Sequence, residues 1–268
     1  MLFIKTALIA VQGELMEFPR DRRPASPSAD SVTSIESVGA ANALSGLAPP
    51  REPTTVEGSE SIINVSKQLG KEVRLKVDAG PGCGGIAWPS GEVLSQYIGY
   101  RYECDPSYLK GKKILELGSG TGLVGIAAGI LEPTAEIWVT DQKQLLDLME
   151  RNVEYNGVSS NVHVDELNWG EQIPGHIPVN DLDMILAADC VYFEPAFPLL
   201  VQTLCDLIPI GKDIEMLFCW KKRRKADKRF FALLKKHFHS EHIEDARPGA
   251  KEQYSRDGVS LLQLRRIK

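Results

Sequence analysis

The chain has 268 residues, of which 43% are hydrophobic and 25% charged, a balance typical of a folded domain of ordinary size. Its formal net charge of −5 argues against a general affinity for nucleic acid, and no apolar run approaches the roughly 18 residues of a membrane span. The five cysteines show no C-x-x-C spacing, so they indicate a reducing compartment and not a disulfide framework. We therefore predict a cytoplasmic protein with neither nucleic acid nor membrane as a partner.

The first segment of the sequence, residues 1–60, is predicted to be a disordered leader. Between residues 19 and 60 it is dominated by Pro, Ser, Ala, Thr and charged side chains, as in the stretch PRDRRPASPSADS. A segment of this composition has too little apolar surface to offset the entropy that it loses on ordering. We therefore predict that one folded domain spans residues 61–268.

Strand-like and helix-like patterns alternate through this domain. A polar–apolar alternation at 72–77 predicts a first strand, which a Gly-Pro turn ends. The apolar runs that predict further strands lie at 112–117, 136–140, 162–167, 183–188, 215–220 and 258–265. The patterns that predict helices lie at 122–131, 144–155, 196–207 and 225–237. Such alternation predicts an α/β fold with a mainly parallel sheet and helices on both faces.

A glycine-rich turn, LELGSGTGLVG at residues 115–125, lies between a predicted strand and the helix that follows it. Such a turn surrounds a ligand with backbone N–H groups and a helix N-terminus, with few side chains in the way. It contains G-x-G-x-x-G from Gly120 to Gly125 and E-x-G-x-G-x-G from Glu116. Asp141 ends the next strand, where a carboxylate accepts hydrogen bonds from ribose hydroxyls. This spacing fits both NAD and S-adenosylmethionine, so the turn alone leaves the cofactor open.

Three further sequence blocks, together with this turn, carry a family resemblance. They are AWPSG at residues 87–91, LNWG at 167–170 and ADCVY at 188–192. With them, the chain resembles the class I S-adenosylmethionine-dependent methyltransferases, and among these the seven-strand protein-lysine methyltransferases of the methyltransferase-like 21 group. The run WKKRRKADKRFF, which begins at residue 220, is most similar to a fungal member that methylates an elongation factor.

The resemblance implies a Rossmann-like seven-stranded methyltransferase sheet, mostly parallel, with the strand at 72–77 added at its N-terminal side. It implies S-adenosyl-L-methionine as the cofactor and a lysine of translation elongation factor 1A as the target, and we expect the enzyme to be a monomer. The residues that it assigns to the cofactor are Trp88, Glu116, Gly118, Ser119, Gly120, Asp141, Trp169 and Ala188. Among these, Asp141 would bind the ribose, Trp169 would lie beside the adenine, and Trp88 would close over the cofactor.

Two residues that follow the predicted strand at 183–188, Asp189 and Tyr192, are expected to act on the substrate amine. A lysine ammonium has a pKa near 10.4 and must lose a proton before it attacks a methyl group. Asp189 would orient the amine or take its proton, and Tyr192 would offer a ring face or a hydroxyl. A second interpretation of Asp189 is structural, as a cap of the next helix. The sequence DCVY lacks the Asn and Pro residues of adenine- and amide-methylating enzymes, which favours lysine as the target.

Several smaller signals complete the predictions. The basic run at 221–225 is interpreted as a solvated face, with contact to an acidic patch of the substrate as a second interpretation. Trp138 and Trp220 are predicted to lie in the core. The histidines show no metal-ligand spacing, so no metal is predicted. Two other functions stay open at this point: an NAD-dependent oxidoreductase, and a non-catalytic protein that keeps the fold for an interaction.

Overall fold

The computed structural model describes residues 59–78, 80 and 83–267, and the fold is given for these residues. The predicted disordered leader lies outside them, except for residues 59 and 60. Nine strands are present, in chain order β1 (Glu60–Ser66), β2 (Lys71–Lys76), β3 (Lys113–Leu117), β4 (Glu136–Asp141), β5 (Val162–Glu166), β6 (Met184–Ala188), β7 (Glu215–Lys221), β8 (Phe238–His242) and β9 (Val259–Arg266). None of the helices described here is both long and apolar enough to cross a membrane.

The six α-helices of this part of the chain cover the sheet. They are α1 (Pro89–Cys104), α2 (Leu123–Leu131), α3 (Lys143–Tyr155), α4 (Phe197–Leu207), α5 (Asp227–Leu234) and α6 (Ala250–Asp257). The predicted helices at 122–131, 144–155 and 196–207 are confirmed within one residue at each end. The predicted helix at 225–237 is shorter than expected, and the sequence patterns missed α1 and α6.

Seven strands form one sheet in the order β5-β4-β3-β6-β7-β9-β8. The five strands from β5 to β7 are parallel, whereas β9 runs antiparallel to its neighbours β7 and β8. The prediction of a mostly parallel seven-stranded α/β sheet is therefore confirmed. The predicted strand at 72–77 is present as β2, but it pairs only with β1 in a separate antiparallel sheet.

The central strands are apolar on both faces because helices cover both. On one face Ile114, Leu186 and Leu217 pack with α1, α2 and α3. On the other face Leu115 and Phe218 pack with α4 and α5. Consecutive residues of a strand point to opposite faces, so a continuous apolar run is what a doubly covered strand requires.

Asn152 of α3 and Asn156, which directly follows that helix, attach the β1–β2 sheet to the rest of the domain. The side-chain amide of Asn152 exchanges two hydrogen bonds with the backbone of Lys76, and that of Asn156 does the same with Arg74. Because they are four residues apart, the two amides lie on one face of the helix, level with alternate residues of β2. Asn152 also donates a hydrogen bond of 2.9 Å to the carbonyl of Thr121, and so connects β2 with the glycine-rich turn.

The two tryptophans that were predicted to lie in the core differ in their surroundings. Trp138, on β4, is 6% exposed, which confirms its prediction. Trp220, at the end of β7, is only partly buried, and its ring lies 4.5 Å from that of Phe231. Trp220 therefore packs against the edge of the core and is not enclosed within it as predicted.

Candidate functional site

The glycine-rich turn leaves β3 at the carboxyl edge of the sheet and leads into α2. Gly118, Gly120 and Gly122 have φ angles of 61°, 58° and 80°, a backbone region that disfavours every residue with a Cβ. A Cβ on Gly118 would lie 3.0 Å from the Trp169 ring, and one on Gly120 would lie 2.5 Å from the carbonyl oxygen of Gly84. The turn is thus approached closely from two sides, by the Trp169 ring and by the backbone of Gly84, and neither position has room for a side chain.

Asp141 faces this turn from the end of β4. One carboxylate oxygen accepts a hydrogen bond of 2.8 Å from the N–H of Gly120, and the other accepts one of 2.7 Å from the N–H of Gln142. Burial raises the pKa of Asp141 to about 6, although these two N–H donors lower it. A partly exposed acceptor pair therefore stands beside the glycine-rich turn, where a diol would meet it.

Glu116 and Ser119 support the turn from within the fold. Glu116 is 2% exposed, and its carboxylate accepts a hydrogen bond from the N–H of Gly125 in the first turn of α2. Burial raises the pKa of Glu116 to about 8, so this carboxyl is mostly protonated at neutral pH. The Ser119 hydroxyl accepts from the N–H of Thr140 and donates to the carbonyl of Glu116. Both side chains are thus engaged inside the protein, and their contact with a cofactor stays a prediction.

Trp169 and Ala188 border the same edge. Trp169 follows β5, is partly exposed, and is close enough to Gly118 that no methyl group fits between them without a shift. Ala188 ends β6, is partly exposed and pairs with Cys219 of β7. The neighbouring Cys190 is buried, and its thiol lies 3.1 Å from the position of a Cβ on Gly118.

Asp189 holds a buried ion pair that the sequence patterns did not reveal. Its φ angle of 62° turns the chain sharply at the end of β6, and its carboxylate binds both terminal nitrogens of Arg223, with 2.6 Å for the longer of the two contacts. The two side chains are 5% and 9% exposed. The interpretation of Asp189 as a helix cap is wrong, because the carboxylate is bound to Arg223 and α4 begins only at Phe197.

The Arg223 guanidinium also lies over an aromatic ring. Its central carbon is 5.1 Å from the ring centroid of Trp88, which precedes α1. The carboxyl edge of the sheet therefore holds one cation between a carboxylate and an indole face, an arrangement that stabilises positive charge. Tyr192 follows four residues after β6 and is partly buried, and its role toward the amine stays a prediction.

The structure thus brings the predicted residues together in two neighbouring groups. The first, at the glycine-rich turn, contains Gly118, Gly120, Asp141 and Trp169, and the second contains Asp189 and Trp88. Glu116 and Ser119 lie beneath the first group. Arg223 was missed because the basic run around it was interpreted as a solvated face, and that interpretation is wrong for this residue.

The geometry at the turn fits a nucleoside with a ribose diol. A glycine-rich turn, a flat partly exposed indole and an acceptor carboxylate stand at the switch between strands where doubly wound sheets bind cofactors. Together with the antiparallel β9, which lies between β7 and the edge strand β8 of an otherwise parallel sheet, they define an S-adenosylmethionine-dependent methyltransferase.

Comparison with known proteins gives the family. The chain belongs to the lysine methyltransferase family, whose profile matches residues 67–237. It is 41% identical over 204 residues to the protein-lysine N-methyltransferase EFM6 of Saccharomyces cerevisiae, an alignment that covers 68% of this chain and 81% of the relative. It is 38% identical over 160 residues to the protein N-lysine methyltransferase METTL21A of Danio rerio, covering 59% and 69%. The mouse EEF1A lysine methyltransferase 3 is 34% identical over 155 residues, covering 58% and 63%.

The chain is therefore a protein-lysine N-methyltransferase that uses S-adenosyl-L-methionine. The glycine spacing left NAD and S-adenosylmethionine open, and the family membership decides for S-adenosylmethionine. It also decides against a non-catalytic interaction protein. Within the described residues, no group of three or more His, Cys, Asp and Glu side chains lies close enough together to hold a metal ion.

Gly118→Ala is expected to weaken cofactor binding at least about tenfold, since the added methyl group would displace the Trp169 ring, which is a predicted contact of the adenine. Gly111→Ala is the matched control, because Gly111 has a similar φ of 66° but no atom within 4 Å of the added methyl. Both variants should lose about 1 kcal/mol of stability from the positive φ. Calorimetric titration and thermal unfolding separate the two effects. Equal cofactor affinity in the two variants would show that the turn at Gly118 does not bind the cofactor.

Proposed function

We propose that this enzyme methylates a lysine of translation elongation factor 1A. The proposal is supported by the name of the mouse relative, an EEF1A lysine methyltransferase, and by the run at residues 220–231 that resembles a fungal elongation factor methyltransferase. The observation that carries it is the cation site at the carboxyl edge, where Asp189 and Trp88 surround a positive side chain beside the cofactor turn.

Gly118 and Gly120 would hold the cofactor by their backbone, and Asp141 by accepting hydrogen bonds from its ribose. Trp169 would flank the adenine, where a flat indole covers a purine face. Ser119 and Glu116 would act indirectly, since they fix the turn against β4 and α2. Ala188, which has only a methyl side chain, leaves room for the reacting centre. When bound, S-adenosylmethionine supplies an electrophilic methyl group on a sulfonium.

The target lysine would take the place of Arg223 at Asp189. A carboxylate that is bound at both oxygens by a guanidinium is a poor proton acceptor, so the incoming ammonium must displace at least one of these bonds. The face of Trp88 stabilises a cation during this exchange. Asp189 then orients the amine and accepts its proton, and Tyr192 offers its ring face to the substrate cation or its hydroxyl to the amine. The amine nitrogen, now with a free electron pair, is directed at the methyl carbon.

The experiment that tests the substrate is mass spectrometry of elongation factor 1A from cells that lack this enzyme. We expect one lysine to lose its methyl mark and to regain it when the wild-type enzyme is restored. Purified enzyme should then methylate the unmodified factor, and a Lys→Arg substitution at that position of the factor should abolish incorporation. An unchanged methylation pattern of the factor in the deleted cells would refute this substrate.

We also propose that the enzyme works in the cytoplasm and as a monomer. A reducing compartment suits Cys104, Cys190, Cys205 and Cys219, all of which are free thiols. Cell fractionation and light scattering of the purified protein check the two statements separately.

A further inference from the structure

A cavity of about 230 Å³ lies beside the site just described and contains none of its predicted residues. Its walls come from the end of β7, from the loop after it and from α5. The residues that line it are Trp220, Lys222, Arg224, Asp227, Lys228, Phe231, Ala232 and Lys235. Four of these side chains are cationic and one is anionic, although the whole chain carries a net charge of −5. The lining of the cavity therefore has a net positive charge, in contrast to the chain as a whole.

Several polar atoms of the cavity wall are buried without a hydrogen-bond partner. They are the indole nitrogen of Trp220, two guanidinium nitrogens of Arg224 and one carboxylate oxygen of Asp227. The other carboxylate oxygen of Asp227 accepts from the N–H groups of Arg223 and Arg224. These atoms are not accessible to solvent, so they lie behind the cavity surface, and the groups that a ligand would meet first are the exposed lysine side chains.

The exposed charges of this surface define the chemistry of a ligand that would bind there. Lysine ammonium groups are hydrogen-bond donors that pair with carboxylates. An acidic peptide carries several carboxylates along one backbone, so it can pair with more than one of the exposed lysines at once. A small inorganic anion carries one centre of charge and pairs with fewer of them. The exposed Lys222, Lys228 and Lys235 at the rim add a long-range attraction for negative charge.

The position of the cavity links it to the methyl-transfer site. Arg223 points to Asp189 and Trp88, whereas its neighbours Lys222 and Arg224 line the cavity. Consecutive Cα atoms are about 3.8 Å apart, so the two sites share one short stretch of backbone. A peptide whose lysine reaches Asp189 therefore passes close to the cavity.

We propose that this cavity binds an acidic segment of the protein substrate and docks it beside the target lysine. This inference rests on the proposed methylation of a protein lysine, but its binding test does not require turnover. The occupant is a carboxylate-bearing peptide segment, and the docking lowers the KM for the protein substrate without changing the cofactor site.

The binding test uses the indole N–H signals of the full-length enzyme in a ¹H–¹⁵N spectrum. The chain has 4 tryptophans, and Trp220→Phe identifies the signal of the cavity. Hexaglutamate should shift the Trp220 signal and leave those of Trp88 and Trp169 in place, whereas S-adenosylhomocysteine should do the opposite. Hexaglutamine is the uncharged control. The proposal is overturned if hexaglutamate leaves Trp220 unmoved, if hexaglutamine shifts it equally, or if inorganic phosphate shifts it as strongly.

The kinetic test reverses two charges at the rim. Lys228→Glu with Lys235→Glu should raise the KM for the protein substrate about tenfold, with kcat and cofactor affinity unchanged. Lys236→Glu with Lys251→Glu is the matched control, because both lysines are exposed and lie outside the cavity. An equal KM in the two double variants would overturn the docking role. A failure of the cofactor to shift Trp88 and Trp169 would instead count against the predicted cofactor contacts.

Discussion

Replacing Asp189 with asparagine is expected to reduce methyl transfer by about 100-fold or more while the affinity for S-adenosylmethionine stays within about threefold. The carboxylate is the group that we propose to orient the amine and to take its proton, and no predicted cofactor contact is removed. Asparagine suits the position because it tolerates the φ of 62° better than alanine does. Single-turnover methylation and calorimetric titration of the cofactor measure the two quantities.

The ion pair with Arg223 requires a second variant. Removing one partner of a buried pair leaves the other charge without compensation, at a cost of about 3–5 kcal/mol. Asp189→Asn combined with Arg223→Met removes both charges, so it should recover stability against heat without recovering activity. Wild-type rates in this double variant would mean that Asp189 serves the fold and not the reaction.

Asp141→Asn is expected to weaken cofactor binding by about 10- to 100-fold, since hydrogen bonds to a charged acceptor contribute about 1.5–3 kcal/mol. In the wild-type enzyme the pKa of Asp141 is raised to about 6, chiefly by burial. The ionised form is the better acceptor for ribose hydroxyls, so affinity should be full above pH 6 and fall as the pH drops below it. If the protonated form did not bind the cofactor at all, the affinity would fall by about tenfold for each pH unit below the pKa.

The measurement is a titration with S-adenosylhomocysteine from pH 7.5 to 5. The asparagine variant should show weak binding that hardly changes over this range, because the titrating carboxyl is gone. Asp147→Asn, on the exposed side of α3, is the matched control and should retain both the affinity and the pH profile. A wild-type affinity that is constant down to pH 5 would contradict the assignment of Asp141 to the ribose.

Much of the sheet could be predicted because its strands are covered on both faces. Strand β6 contains no polar residue, and β7 carries charges only at its two ends, which distinguishes these runs from loops. Strand β8 was missed because it is an edge strand in which only Phe238 is buried. Helix α1 was missed because several residues on its buried face are glycine or serine, so the usual amphipathic pattern of apolar side chains is absent. A Cβ on Gly99 would lie 2.5 Å from the carbonyl oxygen of Val65, so a residue with low helix propensity is required there.

Parts of the site could be predicted for a similar reason. In a parallel sheet the carboxyl ends of neighbouring strands meet at one edge, so Gly118, Asp141 and Asp189 come together although they are far apart in sequence. Arg223 could not be found, since 34 residues separate it from Asp189 and no periodic pattern connects them. Nor could the sequence reveal that the carboxyl of Glu116 faces α2. The same motif fits a side chain that faces the cofactor and one that faces the helix.

The β1–β2 sheet has a consequence for work with shortened proteins. The family profile begins at residue 67, whereas β1 covers Glu60–Ser66. A fragment trimmed to the profile would keep β2 fastened to Asn152 and Asn156 on one side but strip its other side of hydrogen-bond partners. An open strand edge of this kind recruits other chains and promotes aggregation. Soluble fragments of this enzyme should therefore start upstream of Glu60.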